Sequence, residues 1–211
     1  MMLRRLFLLL GALLAAAPAA AADQDSAALW RRLQTGGHVV LMRHAATVSG
    51  IGDPAGFKLG DCTTQRNLSQ AGRTDAAAIG AAFRAHKVPV EAVLSSRWCR
   101  CLDTARIAFG RVDPSPMLDS MFTEGATASA GKLEQVRTYL AGSEHAGKHA
   151  DKHADKQAGN LVFVTHDVNI RALVGRYLSQ GEMVVAVARA DGSLSVAGVL
   201  SVDEMRAGSP R

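Results

Sequence analysis

Three short apolar runs constrain most of what this chain can fold into. Val39-Val40-Leu41-Met42, Ala92-Val93-Leu94 and Leu161-Val162-Phe163-Val164 are too brief for helices. Each lacks the polar alternation of a half-solvated strand, so each reads as a strand buried on both faces. Segments with helical spacing lie between and around them, at residues 27–33, 69–86, 97–105, 132–140 and 168–178. Ser26 and Ser69 stand where N-caps belong. Strands alternating with helices predict an α/β fold, a three-layer α/β/α sandwich around a mostly parallel sheet. Residues 183–187 and 194–201, joined at the turn signal Asp191-Gly192, add a C-terminal hairpin. Pro114 and Pro116 place residues 111–118 on an edge strand, because proline has no N–H for the ladder. The polar end, residues 203–211, reads as frayed.

The polar chemistry collects where the three runs stop. The first ends in Arg43-His44, the second in Ser95-Ser96 followed by Arg97 and Arg100, the third in Thr165-His166. In open α/β sheets ligands bind just beyond the carboxyl ends of strands. A helix N-terminus there is receptive to phosphate, and arginine binds its oxygens two at a time. A neutral imidazole can attack phosphorus while guanidinium groups balance the charge on the equatorial oxygens. Residues 47–67 are rich in Gly, Asp, Pro and Thr without a clear period, and a loop of that length beside a site reads as its rim. Gln65 and Arg66 are its side chains most able to reach a ligand.

Residues 1–22 have the form of a cleavable secretory signal. Arg4 and Arg5 precede an apolar stretch at 6–16, small residues surround Ala20 and Ala22, and Asp23-Gln24-Asp25 follows. No later segment is long and apolar enough to span a bilayer, so the expectation is a periplasmic or secreted single domain, residues 23–211, with no stable span after cleavage. The formal charge is +5, and two of those charges lie in the leader, too mild a balance to argue for nucleic acid. Cys62, Cys99 and Cys101 leave one thiol over in an oxidising compartment, and no zinc-type spacing is present. Residues 143–160 carry a four-residue repeat with His145, His149 and His153. It reads as a solvated low-complexity insertion, with metal buffering as the competing reading.

Together these motifs resemble the histidine phosphatase superfamily, the phosphoglycerate-mutase-like fold. Leu41-Met42-Arg43-His44-Ala45 is similar to its Leu-x-Arg-His-Gly signature, with Ala in place of Gly. Leu68-Ser69-Gln70-Ala71-Gly72-Arg73 is similar to its Leu-(Ser/Thr)-x-x-Gly-Arg helix start. Ser95 through Ala105 resembles its Ser-Ser-Pro-x-x-Arg-Ala-x-x-Thr-Ala segment, and Val164-Thr165-His166 its second histidine motif. The resemblance spans nearly all of the chain after the leader. Asp61-Cys62, Gln65-Arg66 and the cysteine before Arg100 resemble exported lipopolysaccharide core heptose-phosphate phosphatases.

The resemblance implies roles. His44 is the nucleophile that becomes phosphohistidine, and Arg43, Arg100 and His166 hold the transferring phosphoryl group. Arg100, not Arg97, is the phosphate arginine, and Cys62 pairs with Cys99. No metal or cofactor is implied, and the partner is a small phosphorylated substrate, with a sugar phosphate among the candidates. The family's glutamate general acid falls on Ser120 here. Glu124 is the nearest substitute and Asp119 the alternative. With neither serving, the chain would be a phosphatase for a better leaving group such as phosphohistidine, or a catalytically weak protein that binds phosphate or sugar phosphate. Asp167 is expected to point away from the phosphate as a helix cap.

Overall fold

The computed structural model describes residues 19–143 and 158–207, with side chains from Ser26 to Arg206. Six strands form one mixed sheet in the order β3-β2-β4-β1-β5-β6. These are β1 (Val39–Arg43), β2 (Val90–Ser95), β3 (Asp113–Pro114), β4 (Asn160–Thr165), β5 (Met183–Ala188) and β6 (Leu194–Leu200). The first four in the order run parallel, while β5 pairs antiparallel with both β1 and β6. Among the described residues six helices flank them: α1 (Ala19–Gln34), α2 (Gln70–Ala85), α3 (Cys99–Phe109), α4 (Ala126–Gly142), α5 (Asp167–Val174) and α6 (Val202–Ala207).

The apolar runs are unbroken because both faces of the sheet are covered. Along β1, Val40 and Met42 pack with α1, α2, α3 and α6, while Val39 and Leu41 pack against α4 and α5. Along β4 the split repeats, Val162 and Val164 to one layer, Leu161 and Phe163 to the other. This period of two, with an apolar partner on each side, makes the three-layer sandwich. Ser69 caps α2, its hydroxyl accepting from Gly72 N.

Several expected boundaries move. The helix read from residue 27 begins at Ala19, so Ser26 is inside it. The strand read over 111–118 pairs only at Asp113–Pro114, because Pro116 opens a 3-10 turn (Pro116–Leu118). The helix read from 132 begins at Ala126, and that read to 178 ends at Val174, where Gly175 turns left-handed. Of the tail read as frayed, residues 203–207 belong to α6: Val202 and Met205, three apart, bury one face, and Arg206 pairs with Asp75 of α2. The leader up to residue 18 and the histidine repeat at 144–157 lie outside the described residues.

Candidate active site

Parallel packing of β1, β2 and β4 brings their carboxyl ends to one edge, and a cavity of about 490 Å³ opens there. Its lining includes Arg43, His44, Arg66, Arg100 and His166. Four of the strand-end residues expected to act on phosphate therefore share one cavity with Arg66 of the long loop.

His44 is buried at the end of β1. Its backbone N–H donates to Thr165 O at 3.0 Å, and its ring Nδ1 lies 2.9 Å from Ala45 O. A carbonyl oxygen only accepts, so Nδ1 carries the proton and Nε2 keeps its lone pair. The next peptide is braced as well, since Ala45 N donates to Thr104 Oγ1 at 3.0 Å from α3. Burial is the main reason that the His44 pKa is pushed down to about 3; the bond to Ala45 opposes it, and Arg100, Arg43 and Arg66 add to it. His166 also lies well below the ordinary range, by burial first and then by His44, Arg100, Arg43 and Lys132. The two rings meet edge-on with centroids 5.5 Å apart. In the free protein both imidazoles are neutral at physiological pH. In histidine-selective NMR their ring carbons are accordingly expected not to titrate between pH 8 and pH 5. A His44 midpoint near 6.5 would contradict that charge environment.

His166 is held from behind. Its Nε2 is 2.9 Å from Ser96 Oγ and 3.6 Å from Cys101 Sγ. The Cys101 thiol, pushed up to about 12 by burial, is an inert filler. Ser96 Oγ also receives Trp98 N at 3.3 Å and lies 3.5 Å from Asp119 Oδ1.

The three arginines are positioned by backbone carbonyls, by the Thr47 hydroxyl and by one carboxylate. Arg43 Nη1 donates to Leu178 O at 2.6 Å, and Arg66 Nη1 to Thr47 Oγ1 and Gly50 O at 3.0 and 2.7 Å. Arg100 Nη1 donates to Asp53 Oδ1 at 2.8 Å. The Nε of each is buried without a hydrogen-bond partner, which an oxyanion in the cavity would relieve. Asp53 is the residue the sequence reading missed. It also accepts from Arg66 N and, through Oδ2, from the Trp98 indole, both at 2.9 Å. Burial raises its carboxyl, but the Arg100 hydrogen bond, the Arg66 N–H, the Arg100 charge and the Trp98 N–H outweigh that and hold it low. No local pattern separates Asp53 from Asp61 in an aperiodic loop.

Other expected residues are placed elsewhere. Gln65 does not line the cavity; its amide accepts from Cys99 N at 3.0 Å and donates to Lys58 O at 3.0 Å, so it ties the loop to α3. Cys62 and Cys99 are joined by a disulfide with Cα atoms 5.7 Å apart, a second tie at the same place. Arg97 pairs with Asp119, its Nε donating to Oδ2 at 2.8 Å. Glu124 pairs with Lys132. Neither carboxylate lines the cavity; both face a neighbouring groove. The reason is Asn169, which donates to Asp119 O at 2.9 Å and accepts from Met121 N at 3.3 Å, clamping the chain on both sides of Ser120. Ser120 is left facing the cavity. Asp167 does line it, but Oδ1 accepts from Leu178 N at 2.9 Å instead of capping its own helix.

Comparison with known proteins bears on the family and the fold. The sequence profile of the histidine phosphatase superfamily (branch 1) matches residues 39–155, more than half of the chain. No curated protein matches the chain. Among solved structures, a putative alpha-ribazole-5'-P phosphatase from Escherichia coli aligns with TM-score 0.57 at 17% identity, covering 78% of this chain and 97% of its own. The protein histidine phosphatase SixA complexed with tungstate aligns with TM-score 0.52 at 14% identity, covering 80% and 99%. A phosphoserine phosphatase from Entamoeba histolytica aligns with TM-score 0.52 at 14% identity, covering 80% and 98%. At such identities these three structures establish the fold.

Proposed function

The chain belongs to the histidine phosphatase superfamily (branch 1), and on that footing we propose that it is an exported phosphomonoester hydrolase acting through a phosphohistidine on His44. The observation that carries the reading is the pairing of a neutral His44, its Nδ1 fixed on Ala45 O, with Arg43, Arg66 and Arg100 around one cavity. His44 Nε2 attacks phosphorus in line with the departing oxygen. The P–N bond forms, and the P–O bond to the leaving group breaks with its electron pair going to that oxygen. The arginines and His166 take up charge on the equatorial oxygens, the largest service such a site performs. Water then attacks the phosphohistidine, the P–N bond returns its pair to Nε2, and phosphate leaves. No step in this reading needs a metal. The disulfide supports export, since such bonds persist in oxidising compartments. The Asp61-Cys62 and Gln65-Arg66 segment is what keeps heptose-phosphate-type sugar phosphates among the candidate substrates.

The test is hydrolysis of p-nitrophenyl phosphate in EDTA by the protein and by His44→Ala. Turnover that survives EDTA and disappears in the variant, with an alkali-stable, acid-labile phosphoenzyme trapped only in the parent, is the expected result. Turnover in His44→Ala, or loss of turnover in EDTA, would rule the mechanism out. The turned-away Glu124 and Asp119 favour a second reading, a catalytically weak phosphate-binding protein; for that, calorimetry would show phosphate binding without turnover of any ester.

A further inference from the structure

The cavity has two zones of different chemistry. Its cations are Arg43, Arg66 and Arg100, all committed to the phosphate end, and its imidazoles are neutral. Its apolar and aromatic lining is Ile51, Phe57, Trp98, Phe122 and Val168, of which Trp98 lies beside His166 with ring centroids 5.5 Å apart. Ile51 and Phe122 are 93% and 60% exposed, apolar surface left in water at the entrance. They sit on two loops that meet there: a Cβ on Gly52 would lie 4.0 Å from the Phe122 ring. Among the described residues the lining has no Asn, Gln or Glu, and its neutral side-chain hydroxyls are those of Ser120 and Thr123. Of its two carboxylates, Asp53 is saturated by Arg100, Arg66 and Trp98, and Asp167 accepts from Leu178 N through Oδ1 alone. Both repel a leaving group that carries a second negative charge.

The same inventory limits the chemistry. An alkyl or sugar alkoxide leaves poorly unless a carboxylic acid protonates it, a service worth about 100- to 10,000-fold. Glu124 and Asp119 are turned away and Ser120 faces the site. A phenoxide needs no such help, because its charge is delocalised into the ring, and a ring is what an aromatic lining accommodates.

Resting on the hydrolase reading above, we infer that the substrates of this site are aryl phosphate monoesters, in which phosphate is carried on a flat, uncharged aromatic leaving group. The P–O bond breaks with its electron pair on the phenolic oxygen, and the phenoxide takes its proton from solvent after departure. Phe122 acts as a specificity residue against the ring, and Asp167 takes no part in proton transfer.

The experiment measures kcat/KM, which reports transfer to His44, for substituted phenyl phosphates spanning leaving-group acidity, 2-naphthyl phosphate, propyl phosphate and glucose 6-phosphate. Parent, Phe122→Ser, Asp167→Asn and His44→Ala are compared. A steep fall with rising leaving-group pKa is expected, with the alkyl and sugar esters at least about 100-fold below phenyl phosphate. Phe122→Ser is expected to lower kcat/KM for naphthyl phosphate about tenfold, the worth of one buried ring edge, and to lower that for propyl phosphate by a smaller factor. Asp167→Asn keeps the slope. Glucose 6-phosphate within tenfold of phenyl phosphate, or a slope that steepens in Asp167→Asn, overturns the inference while leaving the phosphohistidine mechanism standing. Turnover that persists in His44→Ala, or no turnover of any ester, instead overturns the hydrolase reading itself.

Discussion

Arg100→Ala is expected to lower kcat/KM by about a thousandfold, because the phosphoryl oxygens lose a buried, preorganised cation. Its side chain is 5% exposed, so its charge acts with little screening. The substitution has a second consequence through Asp53, whose side chain is 7% exposed. Burial is the largest influence on that carboxyl, and Arg100 is the chief reason that it lies below its ordinary value instead of above. A depressed carboxyl contributes stability that is present above its unfolded pKa and lost as pH falls. Without Arg100 only the Arg66 and Trp98 N–H groups oppose burial, so the folded carboxyl moves up toward or past its unfolded value and the stability it contributes at neutral pH shrinks. Arg100→Ala is therefore expected to be more destabilised relative to the parent at pH 7 than at pH 4, measured by urea denaturation. Adding Asp53→Asn is expected to restore much of the stability at pH 7 and none of the activity, which separates the two roles of Arg100. Equal destabilisation at both pH values would show that Asp53 does not depend on Arg100.

What the sequence made legible follows from the kind of signal each feature carries. β1 and β4 are buried on both faces, and that condition writes itself as an unbroken apolar run. The run's end locates His44 and His166 without any three-dimensional information. The Ser69 cap was legible because its bond to Gly72 N is three residues long in the chain. Asp53 was not, because its partners Arg100 and Trp98 lie 47 and 45 residues away and its own neighbours carry no period. Gln65 shows the opposite error: a polar residue in a site-rim loop reads as a ligand contact, yet its amide is used to satisfy Cys99 N and Lys58 O. The acid is similar. Which of Asp119, Ser120 and Glu124 faces the cavity depends on the clamp from Asn169, 48 and 50 residues on. In α6 the average polarity of the tail concealed one apolar face, Val202 and Met205.

Gly72→Ala is expected to destabilise the protein by about 3 kcal/mol or more, although glycine in a helix interior is ordinarily about 1 kcal/mol worse than alanine. The sign is decided by what the methyl would meet. A Cβ at Gly72 would lie 1.9 Å from Ala46 O and 2.7 Å from Ala46 C, backbone atoms with no rotamer to yield. The first turn of α2 rests on that peptide: Ser69 N donates to Ala46 O at 3.0 Å, and Ser69 Oγ, which accepts from Gly72 N, donates to the same oxygen at 3.2 Å. Ala46 is two residues beyond His44, and the intervening Ala45 carbonyl is the group that fixes the His44 ring. Relieving the overlap therefore shifts the peptide that orients the nucleophile. Misplacement on the order of 1 Å costs about 100-fold in rate, so the folded fraction of Gly72→Ala is expected to be slow as well as scarce. Gly131→Ala is the matched control. It lies in α4 with nothing within 4 Å of a built Cβ, and it is expected to stabilise by about 0.5–1 kcal/mol with activity unchanged. Denaturation midpoints and kcat/KM on both variants decide the matter. A Gly72→Ala protein as stable and as active as Gly131→Ala would show that α2 can move off Ala46 freely, and that the fold does not hold His44 from this side.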